Sequence, residues 1–236
     1  MFFFVISTMR KGIIFDMDGV LIDAMPFHAE AMKVAINEIT NYNIDKKIVY
    51  LLEGLPGSKL VTEIFKREKI DVNLDNIMAK RISKRKKEIF NEIQRSEPIE
   101  GARELINELR RCSCLKAVVS GSAKQEVESI LDENIGSAMF DLVITGDDVG
   151  EDEGKPNPAP FQMALRKMYL KPSEAIVVEN SPLGVEAARR AGISYVVVMN
   201  NTPLDISSDF GDVVEDNRIF RDTKSAGSLL KDWCCK

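Results

Sequence analysis

Long hydrophobic runs are scarce in this chain of 236 residues. The apolar stretch at its N-terminus, Phe2–Ile6, is a few residues long, with no positive region before it and no small-residue cleavage site after it. That excludes a secretory signal or a bilayer span there. Met9 is a candidate start, which would make residues 1–8 an unstructured leader. An excess of positive charge is also missing: 32 Lys and Arg against 37 Asp and Glu leave a net charge of −5. Such a balance excludes a protein built to coat nucleic acid or anionic membrane, because either would demand a basic surface. Cysteine is sparse, with four residues at 112, 114, 234 and 235. Their C-x-C and C-C spacings match neither a zinc ribbon nor a redox C-x-x-C, so they read as reduced thiols of a cytoplasmic protein. Histidine occurs once, as His28. No internal repeat, low-complexity tract or sign of an obligate protein partner is present.

What remains is the balance of a globular enzyme, 44% apolar and 29% charged, long enough for a core domain with a smaller insert. Lys11 precedes a short apolar run, Gly12–Phe15, that ends abruptly in Asp16-Met17-Asp18-Gly19. A strand buried on both faces of a parallel sheet has this character, with its carboxyl end opening into a loop. Runs of the same kind follow at Leu115–Ser120, Leu142–Thr145, Ala175–Glu179 and Tyr195–Met199. Helical patterns lie between them at about 101–111, 122–134, 159–169 and 182–191. Strand and helix alternate, which predicts an α/β fold with a Rossmann-like, mostly parallel sheet. Residues 24–97 break the rhythm, with helical stretches near 26–39, 57–69 and 75–95 and no convincing strand. They predict an inserted all-helical cap, which leaves 1–23 and 98–236 as the core. The closing part, about 200–221, is loop-rich with a weak strand near 212–214, before an amphipathic helix over about 223–233.

Ligands of a parallel sheet gather outside the carboxyl ends of its strands. The polar residues there are Asp16 and Asp18, Ser120-Gly121-Ser122, Thr145 with Asp147 and Asp148, and Glu179-Asn180. Lys155 sits in a Gly-Lys-Pro-Asn-Pro loop just before a helix. Carboxylates to hold a cation, with a lysine, a hydroxyl and backbone N–H groups to absorb negative charge, suit metal-assisted phosphoryl transfer.

The order DMDGVLID (16–23), VVSGS (118–122), GKPNP (154–158) and VVENSPLGVEAARRAGI (177–193) resembles the four motifs of the haloacid dehalogenase superfamily. The helical insert resembles the cap of the subgroup that contains β-phosphoglucomutase and phosphoglycolate phosphatase. This resemblance implies Mg²⁺ as cofactor and a small phosphorylated metabolite as substrate. By position, Asp16 resembles the nucleophile and metal ligand. Asp18 resembles the general acid and base, with its carbonyl toward the metal, and its acidity favours phosphate esters over halides or phosphonates. Ser120, Gly121 and Ser122 resemble the phosphoryl-binding segment, and Lys155 the cation that pairs with Asp16. Glu179 and Asn180 occupy the metal motif, where Glu-Asp is the frequent form. Asn180 brings an oxygen but no charge, so weaker cation binding is expected.

Leu52–Ser58, including Gly54, resembles the substrate-specificity loop of the cap. Gly57 stands where mutases of the subgroup carry an arginine, which counts against a bisphosphorylated sugar intermediate. The basic run Lys80–Lys87 reads either as a solvated helix face or, through Lys86, as a contact to an anionic substrate. His28 resembles the mutase histidine that reaches toward the general acid. The resemblance therefore implies a phosphatase working through an aspartyl-phosphate. A sugar-phosphate mutase and a non-catalytic phosphate-binding regulator are the alternatives.

Overall fold

The computed structural model describes residues 10–150, 152–211, 214 and 218–235. Strand β1 (Gly12–Phe15) is the apolar run that opens the first motif, and Ile13, Ile14 and Phe15 are wholly buried. Its place explains its composition. The sheet order is β3-β2-β1-β4-β5-β6, so β1 is central and has no polar face. It pairs in parallel with β2 (Leu115–Val119) and with β4 (Ala175–Glu179). Outside these lie β3 (Leu142–Ile144), β5 (Ser194–Val198) and the short β6 (Ile219–Phe220), also parallel to their neighbours. Register matters here: Phe15 lies opposite Val118 and Val178, so Asp16 emerges level with the ends of β2 and β4.

Four helices follow β1: α1 (Met25–Thr40), α2 (Lys47–Leu51), α3 (Gly57–Glu68) and α4 (Asn76–Ile93). The core continues with α5 (Ala102–Leu109), α6 (Lys124–Asn134), α7 (Ala159–Met168), α8 (Pro182–Arg190), α9 (Ile206–Asp209) and α10 (Thr223–Cys235). Helices α7, α8 and α10 pack on the strands, and α5 packs on α10. Within the insertion, α4 lies along α1, burying Ala79, Ile82, Ile89 and Phe90 on one side. The chain enters and leaves the insertion at one place. Asp23 N–H donates to the Glu97 carbonyl (2.8 Å), Ile99 N–H donates to the Leu21 carbonyl (2.9 Å), and Ile22 bridges Pro98 in antiparallel fashion.

Two readings need correction, and two others fall on residues outside those described. Helix α2 was not anticipated, because five residues are too few to display a helical period. The weak strand expected near 212–214 falls mostly outside the described residues, as does the leader at 1–8, and the sixth strand is Ile219–Phe220. The cysteines are not free thiols. Cys112 is bonded to Cys235 and Cys114 to Cys234, with Cα separations of 5.4 and 5.3 Å. The fold brings the end of α10 against the segment before β2, within bridging distance, which linear spacing cannot reveal.

Candidate active site

Asp16 follows β1 directly, and its N–H donates to the Val178 carbonyl (2.9 Å), which fixes the turn off the strand. Its side chain meets Lys155, whose Nζ donates to Asp16 Oδ1 and, at 2.5 Å, to Glu179 Oε1. All three are buried. Lys155 also lies 5.4 Å from the centroid of the Phe161 ring, a favourable seat for a cation. Burial opposes its charge, yet the Asp16 and Glu179 carboxylates outweigh that and hold the ammonium above the usual lysine range. The second oxygen of Glu179 is anchored by N–H groups of Asn180 (3.0 Å) and Ser181 (3.2 Å) and by the Ser181 hydroxyl (3.1 Å). Ser181 in turn caps α8, accepting from Gly184 N–H at 3.2 Å.

Asp18 sits two residues beyond Asp16, and its Oδ2 lies 3.7 Å from His28 Nε2. His28, one turn into α1, is stacked flat on Phe90 with ring centroids 4.0 Å apart. Its Nδ1 lies 2.6 Å from Lys86 Nζ. An ammonium can only donate, so Nδ1 accepts and the ring N–H sits on Nε2, toward Asp18. Burial pulls the Lys86 ammonium below the usual lysine range.

A residue that sequence reasoning missed completes the cluster. Glu53, in the loop before α3, accepts a hydrogen bond from Asn180 Nδ2 at 3.0 Å. Burial, reinforced by Asp16, Glu179 and Asp18, raises the Glu53 carboxyl well above the ordinary range. The Asp16 carboxyl is raised by burial too, against the pull of Lys155. One signal could have found Glu53: Asn180 brings no charge beside Glu179, and Glu53 is the acid in the loop Leu52–Ser58. The loop reaches the core through Gly54, whose φ of +96° and close approach to Lys155 exclude a side chain. A Cβ there would stand 2.8 Å from the Lys155 side chain.

These groups share a cleft of about 680 Å³ between the insertion and the sheet rim, lined by Asp16, Asp18, His28, Glu53, Gly54, Lys86, Ser120, Gly121, Ser122 and Lys155. Ser120 is buried and its Oγ accepts from Ser122 N–H at 3.2 Å. Glu179 and Asn180 do not line the cleft. They lie behind it, reaching it through Lys155 and Glu53. Within this cluster, four buried oxygens have no hydrogen-bond partner among the described residues: Asp16 Oδ2, Asp18 Oδ1, Glu53 Oε1 and Asn180 Oδ1. Oxygens left unpaired in this way are costly unless something electropositive meets them. An all-oxygen set of carboxylates and one amide fits a hard divalent cation such as Mg²⁺.

A six-stranded parallel sheet with acids at its strand ends and helices inserted after the first strand has the Rossmann-like fold of haloacid dehalogenase-type hydrolases. The sequence profile of the haloacid dehalogenase-like hydrolases matches residues 13–198, and the chain belongs to that family. It is 28% identical over 186 residues to a phosphorylated carbohydrates phosphatase of Thermotoga maritima, covering 79% of this chain and 83% of the relative. Identity is also 28% to a phosphoglycolate phosphatase of Aquifex aeolicus, over 193 residues, 80% of this chain and 84% of the relative. A solved structure from Bacteroides vulgatus, described as a candidate β-phosphoglucomutase, is 32% identical, covers 95% of this chain and 88% of its own, and superposes with a TM-score of 0.81.

Proposed function

We propose that the chain is a Mg²⁺-dependent phosphatase of small phosphorylated metabolites, working through an aspartyl-phosphate on Asp16 beneath a cap formed by residues 24–97. The observation that carries this reading is the buried Lys155 ammonium between Asp16 and Glu179, beside four unpartnered oxygens. Asp16 attacks phosphorus as the ester oxygen departs, and Asp18, protonated, gives that oxygen its proton. Water then attacks the same phosphorus, yielding a proton to Asp18, and the bond to Asp16 breaks to release phosphate. Ser120, Gly121 and Ser122 cradle the phosphoryl oxygens, while Lys155 offsets charge on both Asp16 and the group in transfer. A bound Mg²⁺, held by Asp16, Asp18, Asn180 and Glu53 with Glu179 behind Lys155, supplies further neutralisation of the phosphoryl oxygens. The His28–Lys86 pair orients Asp18 and Gly54 seats the loop against Lys155. The names of the Thermotoga and Aquifex relatives support a phosphatase.

Asp16→Asn tests the reading: release of phosphate from an aryl phosphate with Mg²⁺ should fall at least about a thousandfold. Activity near that of the unaltered protein would place the chemistry elsewhere, or leave a binding protein with an unrelated contaminant. One observation favours a second reading, a sugar-phosphate mutase: the likeness to the Bacteroides structure. Against it stands Gly57, which offers no cation, while the neighbouring Lys59 is engaged by Asp152. Measuring free phosphate beside conversion of β-glucose 1-phosphate to glucose 6-phosphate separates the two. We also propose the cytoplasm as its place, since charged phosphorylated metabolites do not cross membranes unaided. Fractionation of cells tests this: the chain should travel with cytoplasmic marker enzymes, and recovery outside the cell or with membranes would overturn it.

A further inference from the structure

Glu179, the first residue of the metal motif, has both of its oxygens engaged. Its Oε1 accepts from Lys155 Nζ at 2.5 Å, and its Oε2 accepts from two N–H groups and the Ser181 hydroxyl. It is fully buried and stands behind the cleft rather than on its wall. Lys155 is itself held between Glu179 and Asp16, so this part of the rim is already matched. Glu53 is placed otherwise. It lines the cleft with Asp16 and Asp18, its Oε2 accepts from Asn180 Nδ2 at 3.0 Å, and its Oε1 is buried without a partner. With Nδ2 turned to Glu53, Asn180 leaves its Oδ1 unmatched as well.

Two unmatched oxygens on hydrogen-bonded neighbours are costly in a protein interior unless something electropositive meets them. They come from two sides of a seam: Asn180 from the end of β4, and Glu53 from the loop between α2 and α3. A hard divalent cation draws its affinity largely from the charge of its oxygen ligands, and an amide oxygen brings none. The loop carboxylate stands within hydrogen-bond distance of that amide and has charge to give. Gly54, the next residue, lets the loop come this close, because a Cβ there would press on the Lys155 side chain.

We infer that the insertion itself completes the cation site: Glu53 supplies the charge that Asn180 does not bring, and Mg²⁺ therefore clamps the Leu52–Ser58 loop onto the rim. The inference rests on the cation of the phosphatase reading and deepens it, making a site of the core into one shared across the seam. Such linkage is reciprocal. The factor by which a docked loop tightens the cation is the factor by which the cation holds the loop.

Calorimetric titration of the metal-free full chain with Mg²⁺ alone, without substrate, tests the ligand. Glu53→Gln keeps the shape and an acceptor for Asn180 but removes the charge. Affinity for Mg²⁺ should fall at least about tenfold, the scale on which even indirect partners of a metal act. Asn180→Asp returns a carboxylate from the core side, so Glu53→Gln/Asn180→Asp should recover most of that loss. Hydrogen exchange reads the clamp: Mg²⁺ should slow exchange of the Leu52–Ser58 amides in the unaltered chain and, at the same concentration, not in Glu53→Gln. Undiminished affinity in Glu53→Gln would overturn the inference, as would loop exchange in the unaltered chain that ignores Mg²⁺. A loss that Asn180→Asp does not recover would make Glu53 a support of the loop rather than a ligand, and would overturn it too. The exchange measurement on the unaltered chain needs no substitution, so a variant that folds poorly does not shelter the inference. The phosphatase reading fails separately: Mg²⁺ binding that depends on Glu53, in a chain that releases phosphate from no aryl phosphate, would sink that reading and leave the clamp standing.

Discussion

At the scale of single residues, the neutral amide of Asn180 shapes the site. Asn180 donates to Glu53 whether or not that carboxyl holds a proton, whereas an aspartate has no N–H to offer, so this pairing knits the insertion loop to the core before any cation arrives. Asn180→Asp should lower the Mg²⁺ concentration for half-maximal activity and, in the metal-free protein, lower the thermal midpoint. Calorimetry with and without Mg²⁺ checks both, and a metal-free midpoint that rises would mean the hydrogen bond is idle. The raised carboxyls of Asp16 and Glu53 add a pH signature. Unfolded, these groups lose protons in the ordinary carboxyl range. Folded, they hold them to higher pH, so stability in the metal-free protein falls as pH climbs between the two. A bound cation substitutes for those protons. The gain in midpoint on adding Mg²⁺ should therefore grow as pH climbs above the ordinary carboxyl range. A gain that shrinks with pH would contradict the assignment of these acids to the cation.

At the scale of elements, the junction of β4 with α8 is the least forgiving. Glu179 lies against the first turn of α8, and a Cβ at Gly184 would fall on its carboxylate. Alanine ordinarily strengthens a helix over glycine by roughly 1 kcal/mol. Here Gly184→Ala should instead destabilise by about 2 kcal/mol through overpacking and reduce turnover by displacing Glu179 from Lys155. An unchanged melt with full activity would show that the helix start yields. The same elements show what could be read in advance. Gly12–Phe15 and Ala175–Glu179 were legible because strands covered on both sides are unbroken apolar runs, and their polar ends then marked the rim. Helix α2 was hidden by its brevity. Glu53 was hidden for another reason: an acid in a loop has no period, and only the fold carries it across to Asn180.

At the scale of the whole molecule, the four cysteines fasten α10 to the segment before β2. The bridges span 123 and 120 residues, and one closure of a loop near that length restricts the unfolded chain by about 4–5 kcal/mol. Both close nearly the same loop, so the second adds little. Reduction should lower the midpoint by roughly 10 °C while leaving the site at the opposite strand ends intact, which melts and assays with and without a dithiol reductant will show. An unaltered midpoint would mean that packing alone holds α10.

The paired hydrogen bonds at Asp23–Glu97 and Leu21–Ile99 carry a consequence for ancestry and engineering alike. A segment that joins its host at a single doorway can be swapped, shortened or deleted without cutting a strand of the sheet. Any replacement grafted across that doorway would have to supply again what Glu53, His28 and Lys86 bring to the cleft.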